Sequence, residues 1–379
     1  MYTNESDICS VAVNVDDFKR SDERSFYKWE KVNGKVVKSS VILSHHDLVD
    51  TFNAEVKILK KHIFIKRNQN AFYNYLKENL GDNEVLLQVD YSENYSNKDQ
   101  QEIQSAYFGH NTFSIFTACA YYRTTDGIVG NKNITVTSNA TDHSRIASHT
   151  CTMKVIEELG KTVQIKKLNV WSDGCAAQFR SRFVFDLISR IDRKYEIAWF
   201  YNERHHGKGP MDGVGGTLKN KVFRDVKSGK IQITSAESFA NYAEATIDGI
   251  KSLYLPEDEV FDEPSDIEDA PKIPGTLEVH KVTRDYNEDG VCNLNFFKMA
   301  SDEKPFFRQW YRRPGDPEVC DHPVLPLKYD IDNTCASCKE SYLAKKDWLK
   351  CEVCEQWFHE RCFMIICRRY YVLLLNMLY

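Results

Sequence analysis

The chain has 379 residues, 42% of them hydrophobic, and a formal net charge of -5. That length and apolar content suffice for two or three domains with a real core, and the charge excludes a global attraction to nucleic acid, so any such contact must come from local basic patches. The N-terminus lacks the basic start and apolar run of a secretory signal, and the apolar end FMIICRRYYVLLLNMLY is short for a membrane span and split by Arg368 and Arg369. The expected setting is reducing and without a membrane, with the twelve cysteines as thiols or metal ligands rather than disulfides.

Residues 1–83 are read as an N-terminal helical region, because Leu48, Val49, Phe52, Val56 and Leu59, then Phe72, Leu76 and Leu80, recur at three- and four-residue steps before Gly81. From residue 84 the period changes. EVLLQVDY, TFSIFTACAYY, NITVTS, KLNVWSD and YEIAWFY are short, rich in β-branched and aromatic residues, and predict five strands. Between the third and fourth, SRIASHTCTMKVIEEL predicts a helix that Thr141 or Asp142 caps and Gly160 ends. Three strands, a helix, then strand, helix, strand, helix is the order of an RNase H-like fold, so 84–250 is expected to be an α/β core of that kind. Residues 257–269, EDEVFDEPSDIED, hold eight acidic residues and no basic one, which marks 251–275 as a solvated acidic linker. Residues 276–330 are expected to form a small β-rich connector.

Two sets of residues carry chemistry. Asp90 lies in the first strand, on the face opposite Val85, Leu87 and Val89, and Asp173 ends the fourth. In an RNase H-like sheet these strands are neighbours, so the two carboxylates can share a Mg²⁺ ion, which takes one or two carboxylates and phosphate oxygens. Glu93, Asp142 and Glu203 are reserve candidates. Residues 204–230 carry seven basic residues against Asp212 and Asp225, suited to phosphates. The glycines Gly207, Gly209, Gly213, Gly215 and Gly216 would let backbone approach a phosphate, and His205 and His206 can orient one. At the other end, Cys335-x2-Cys338, Cys351-x2-Cys354, His359 and Cys362 have the spacing of two interleaved zinc sites. Pairing all four cysteines of the two knuckles, as in a zinc ribbon, is the alternative.

The segments VDYSENY, WSDGCAAQF and HGKGPMDGVGG lie within residues 45–250, a stretch that resembles DDE-type transposases and integrases, closest to transposon-derived proteins of animal genomes. The resemblance implies Asp212, thirty-nine positions after Asp173, as the third catalytic carboxylate, though the family more often has Glu there. It also implies two-metal phosphoryl transfer on DNA with Mg²⁺. Residues 331–367 resemble a PHD-type zinc finger, in which Cys335, Cys338, His359 and Cys362 hold one zinc. Cys351 and Cys354 start a second site whose later Cys-x2-Cys is absent, only Cys367 following. Residues 368–379 are an apolar tail unlike a PHD ending, which suggests a truncated chain or a shifted frame. PHD fingers often read the histone H3 tail, and Trp348 and Trp357 match positions used in aromatic cages. DNA and histone partners imply the nucleus. The competing expectation is a non-catalytic chromatin-binding protein that reads histone or DNA.

Overall fold

The computed structural model describes residues 23–97, 112–203, 209–288, 290–311, 348–350 and 357–359. The chain divides into two units, residues 1–283 with 296–306, and residues 284–295 with 307–379.

The first unit begins with a departure from the expected helical region. Residues 23–44 form an antiparallel ribbon of β1 (Glu23–Val32) and β2 (Lys35–Ser44), with Val32 opposite Lys35. Asn33 at φ 49° and Gly34 at φ 81° make the turn. A two-residue hairpin turn of type I′ matches strand twist and needs positive φ at both central positions, which Asn-Gly supplies. The Val- and Ile-rich KVVKSSVIL that follows suits a pleated surface. The helix expected from the Leu48-to-Leu80 period is α1 (His45–Glu78), started by Ser44, whose hydroxyl accepts the Asp47 N–H at 3.1 Å.

Next come β3 (Glu84–Ser96), β4 (Thr112–Arg123), β5 (Val129–Ser138), α2 (Arg145–Gly160), β6 (Lys167–Ser172), α3 (Arg182–Arg190), β7 (Glu196–Tyr201), α4 (Pro210–Lys227), α5 (Ala236–Thr246), β8 (Ile250–Leu255) and β9 (Lys281–Tyr286). All five expected strands form. The cap of α2 is Ser144, not Thr141 or Asp142; its hydroxyl accepts the Ala147 N–H at 3.2 Å, while Asp142 accepts the Ser144 N–H at 3.4 Å one step outside the helix.

In this unit the strands lie in the order β9-β7-β6-β3-β4-β5-β8. β3, β6 and β7 run parallel, β4 is antiparallel to β3 and β5, and β8 is parallel to β5. The result is a mixed α/β fold with a large mixed sheet, consistent with an RNase H-like arrangement. The expected adjacency of the first and fourth core strands is present as the β3-β6 ladder. Leu86 and Trp171 pack under Phe72, Tyr73 and Leu76 of α1. Further along the same face, Tyr95, Phe113 and Ile115 pack against Val214 and Leu218 of α4 and Phe239 of α5.

The acidic run is not a free linker. Ile267 and Ala270 are buried, and the carboxylates pair with the helices of the opposite face: Glu259 with Lys154 at 2.7 Å, Asp266 with Arg190 at 2.8 Å, and Glu263 and Glu268 with Arg145. Composition alone, all acid and no base, could not reveal partners more than seventy residues away.

In the second unit, Asn287 and Gly290 turn the chain, the Val291 N–H bonding to the Asn287 side chain at 2.7 Å. Asp285 then receives the side-chain amides of Asn293 at 2.7 Å and Asn295 at 2.8 Å. Strands β10 (Cys292–Phe297) and β11 (Phe307–Tyr311) follow in the chain, and two short strands, β12 (Trp348–Lys350) and β13 (Trp357–His359), pair antiparallel.

Candidate active site

Register sets the first two carboxylates side by side. The β3-β6 ladder pairs Glu84 with Lys167 and Gln88 with Trp171, so two residues further on Asp173 comes level with Asp90, on strands about 4.8 Å apart. Asp90 shares its face with Gln88, as the alternation required, and lies opposite Thr117 of β4.

Asp212 arrives on the first turn of α4. Pro210 begins the helix with its fixed φ, and the Gly209 N–H donates to the Asp212 carboxylate at 3.3 Å. Two glycines let this turn close on the sheet. A Cβ on Gly209 would stand 2.6 Å from the Gln88 amide nitrogen, and one on Gly215 would stand 2.6 Å from the Ser92 hydroxyl. Gln88 is itself held by the Tyr73 hydroxyl at 2.8 Å. The glycine reading is thus divided: Gly209 and Gly215 serve packing, whereas a Cβ on Gly213 or Gly216 would meet nothing within 4 Å. Gly207, His205, His206, Arg204 and Lys208 lie outside the described residues.

Electrostatics tie the three acids together. Burial pushes the Asp90 carboxyl up to about 7, and the charges of Asp173 and then Asp212 push the same way, against the Tyr91 N–H that it accepts. Asp173 is also raised by burial, offset by the Cys175 N–H and the Arg180 guanidinium. Each carboxylate has one oxygen on a backbone N–H: Asp90 with Tyr91 at 2.8 Å, Asp173 with Cys175 at 3.0 Å, Asp212 with Gly209 at 3.3 Å. The second oxygen of each has no hydrogen bond among the described residues. Hard oxygen donors left with unshared charge in a partly desolvated edge fit the chemistry of Mg²⁺. Even so, among the described residues no three His, Cys, Asp or Glu side chains are grouped closely enough to hold a metal ion.

Arg180 was not singled out in the sequence. It is almost wholly buried, donates to the Val279 carbonyl at 3.1 Å, and lies so near the turn after Asp173 that a Cβ on Gly174 would stand 2.8 Å from its guanidinium. One of two arginines in AAQFRSRF, it carries no periodic signal.

The reserve acids separate. The Glu93 side chain is exposed beside Lys219. Asp142 is spent at the entry to α2. Glu203 stands between two histidines, His280 Nε2 at 2.6 Å and His62 Nδ1 at 3.0 Å. Burial would raise it, but the hydrogen bonds and charges of His280 and His62 hold it at about 2. The basic excess is partly consumed: Asp225 takes Lys221 and Lys230 and accepts the Tyr242 hydroxyl at 2.9 Å.

Of the zinc ligands, Cys335, Cys338, Cys351, Cys354 and Cys362 lie outside the described residues, and of His359 only the backbone, in β13, is described. Cys119, Cys151, Cys175 and Cys292 are not in disulfides. No described helix is long and apolar enough to cross a membrane.

The family model described as Domain of unknown function (DUF8701) matches residues 69–292. No curated protein matches the sequence. Among solved structures, the crystal structure of LC9-RNase H1, a type 1 RNase H with the type 2 active-site motif, is similar at 13% identity, over 52% of this chain and 98% of that one, with a TM-score of 0.23.

Proposed function

The chain belongs to the DUF8701 family, a domain of unknown function, and from its carboxylate edge we propose that it is a metal-dependent DNA-cutting and strand-transfer protein of the DDE transposase type, active or decayed. The observation that carries this reading is Asp90: a buried carboxyl raised to about 7, with Asp173 and Asp212 both adding to its charge repulsion. Carboxylates that raise one another's charge cost, with no basic partner for Asp90 among the described residues, are unfavourable unless a cation joins them.

Asp90, Asp173 and Asp212 would hold Mg²⁺ through the oxygens left free by the backbone. Once bound, the ion supplies activation of a water or 3′-hydroxyl and stabilisation of the leaving oxygen. The chain's part is orientation: three backbone N–H groups fix the rotation of the carboxylates, and Arg180 favours the ionised form of Asp173. Because Asp90 must give up a proton, cation binding releases acid.

End-labelled DNA incubated with the chain and Mn²⁺ or Mg²⁺ tests the proposal. Cutting that is lost in Asp90→Asn and Asp173→Asn supports it; cutting that survives both substitutions sinks it, and none by the parent chain with either ion rules out the active form.

At the C-terminus we propose a PHD-type finger on structural zinc, with Cys335, Cys338, His359 and Cys362 on one ion and Cys351 and Cys354 starting an incomplete second site. Its support is the ligand spacing, together with the β12-β13 ladder that brackets Cys351 and Cys354. The same finger favours the second reading, a non-catalytic chromatin-binding protein in the nucleus that engages DNA or a histone H3 tail.

A further inference from the structure

The β1-β2 ribbon has two unlike sides. Phe26, Glu30, Ser39, Val41 and Leu43 share a half-buried side. The opposite side presents Tyr27, Trp29, Val36 and Ile42, exposed by 69%, 70%, 67% and 63%. Lys31 and Lys38 stand among them: Trp29 faces Lys38 across the ladder, Lys31 faces Val36, and the Lys38 ammonium lies 5.1 Å from the centre of the Tyr27 ring. Between Ser25 and Lys31, and between Val36 and Ile42, that side carries no acidic residue.

Large apolar side chains gathered on one exposed side mark a binding surface. Charge selects the partner. Residues 23–67 hold ten basic residues, Arg24, Lys28, Lys31, Lys35, Lys38, Lys57, Lys60, Lys61, Lys66 and Arg67, against five acidic ones, so this stretch has an excess of five positive charges in a chain of net charge -5. Flat rings interleaved with ammonium groups suit bases and phosphates of an unpaired strand, whose π-faces stack on aromatics without regard to sequence. A duplex hides those faces.

Placement agrees. Tyr73 of α1 meets Gln88, Gln69 meets the Tyr201 carbonyl at the end of β7, and His62 meets Glu203 beyond it. The helix therefore runs off the sheet at the edge where Asp173 lies, and its first eighteen residues, about 26 Å at 1.5 Å per residue, lead back to the ribbon.

We propose that the Tyr27–Trp29 side of the ribbon binds an unpaired DNA strand, the two rings stacking on bases and Lys31 and Lys38 lying against phosphates. The choice of DNA rests on the reading of the carboxylate edge as a DNA-cutting site; the stacking chemistry does not. The test uses the full chain in EDTA with a fluorescent oligo-dT, read by anisotropy across a salt series. Tyr27→Ala with Trp29→Ala should weaken binding by about tenfold or more while leaving the thermal midpoint unchanged. Lys31→Gln with Lys38→Gln should make the dependence of log affinity on log salt shallower by about 1.4.

Undetectable binding by the parent chain, or equal affinity of parent and both variants, overturns the proposal. So does tighter binding to oligo-rU, which would make RNA the occupant, or a loss of self-association in the aromatic variant with oligo-dT binding intact, which would make the surface a protein interface. With metal chelated no cutting contributes, so failure here leaves the carboxylate reading standing, and failure to cut alongside normal oligo-dT binding would count only against the active form of that reading.

Discussion

Asp90 holds its proton at a pH where an ordinary aspartate has lost it, since burial and two neighbouring acids lift it from 3.8 to about 7. A group raised in the fold favours the folded state in its protonated form, so its support is present below the ordinary carboxylate pKa and is lost as pH climbs to about 7. Asp90→Asn should therefore match the metal-free parent in thermal midpoint below pH 4, gain over it between pH 4 and 7, and hold a constant lead of up to a few kcal/mol above that. A lead that is flat across this range would mean Asp90 is not raised. Glycines give a sharper contrast. Gly215→Ala drives a methyl into Ser92 and should cost about 1–3 kcal/mol by overpacking. Gly213→Ala, with open space around it and a helical backbone, should gain about 0.5–1 kcal/mol. Chemical denaturation of the two variants separates these outcomes. Asp90 and Asp173 were legible as a pair because strand period and element order fix face and adjacency. Arg180 and Gln88 were not, because their roles arise from close approach between segments far apart in sequence.

At the scale of elements, Glu203 joins three of them: α1 through His62, the end of β7 through itself, and the start of β9 through His280. His280 also has its other nitrogen 3.0 Å from the Glu278 carbonyl. Glu203 is depressed to about 2, so its contribution is present above the ordinary glutamate range and is lost as pH falls toward 2. Glu203→Gln should lower stability by roughly 1–3 kcal/mol at pH 7, the difference shrinking from pH 4.5 downward. A constant difference through that range would count against the ion pair. This link spans 141 residues to His62 and 77 to His280, beyond the reach of any local pattern. The ribbon, by contrast, was within reach: Asn33-Gly34 between an aromatic stretch and a β-branched one is a hairpin signal, outweighed by the helical period that follows it.

For the whole molecule, the zinc proposal and the carboxylate proposal are independent. Metal analysis of the full chain should find zinc, with one ion lost in His359→Ala. Retention of all zinc in that variant would remove His359 from the ligand set. The sequence predicted five strands of the mixed α/β core by their composition, did not reveal that β8 and β9 join the same sheet, and misjudged the acidic run, whose charge is answered by Arg145, Lys154 and Arg190 in space rather than nearby in the chain.

The β3-β6 ladder has one more consequence, for engineering. Because register rather than chain length brings Asp90 and Asp173 level, segments between the two strands are free to change in size. A peptide tag placed in the turn at Thr124–Ile128, which closes β4 onto β5 by the Thr124 N–H to Ile128 carbonyl bond at 2.8 Å, should leave the carboxylates where they are. A single residue inserted within β6 would reverse the side on which every following side chain projects, Asp173 included.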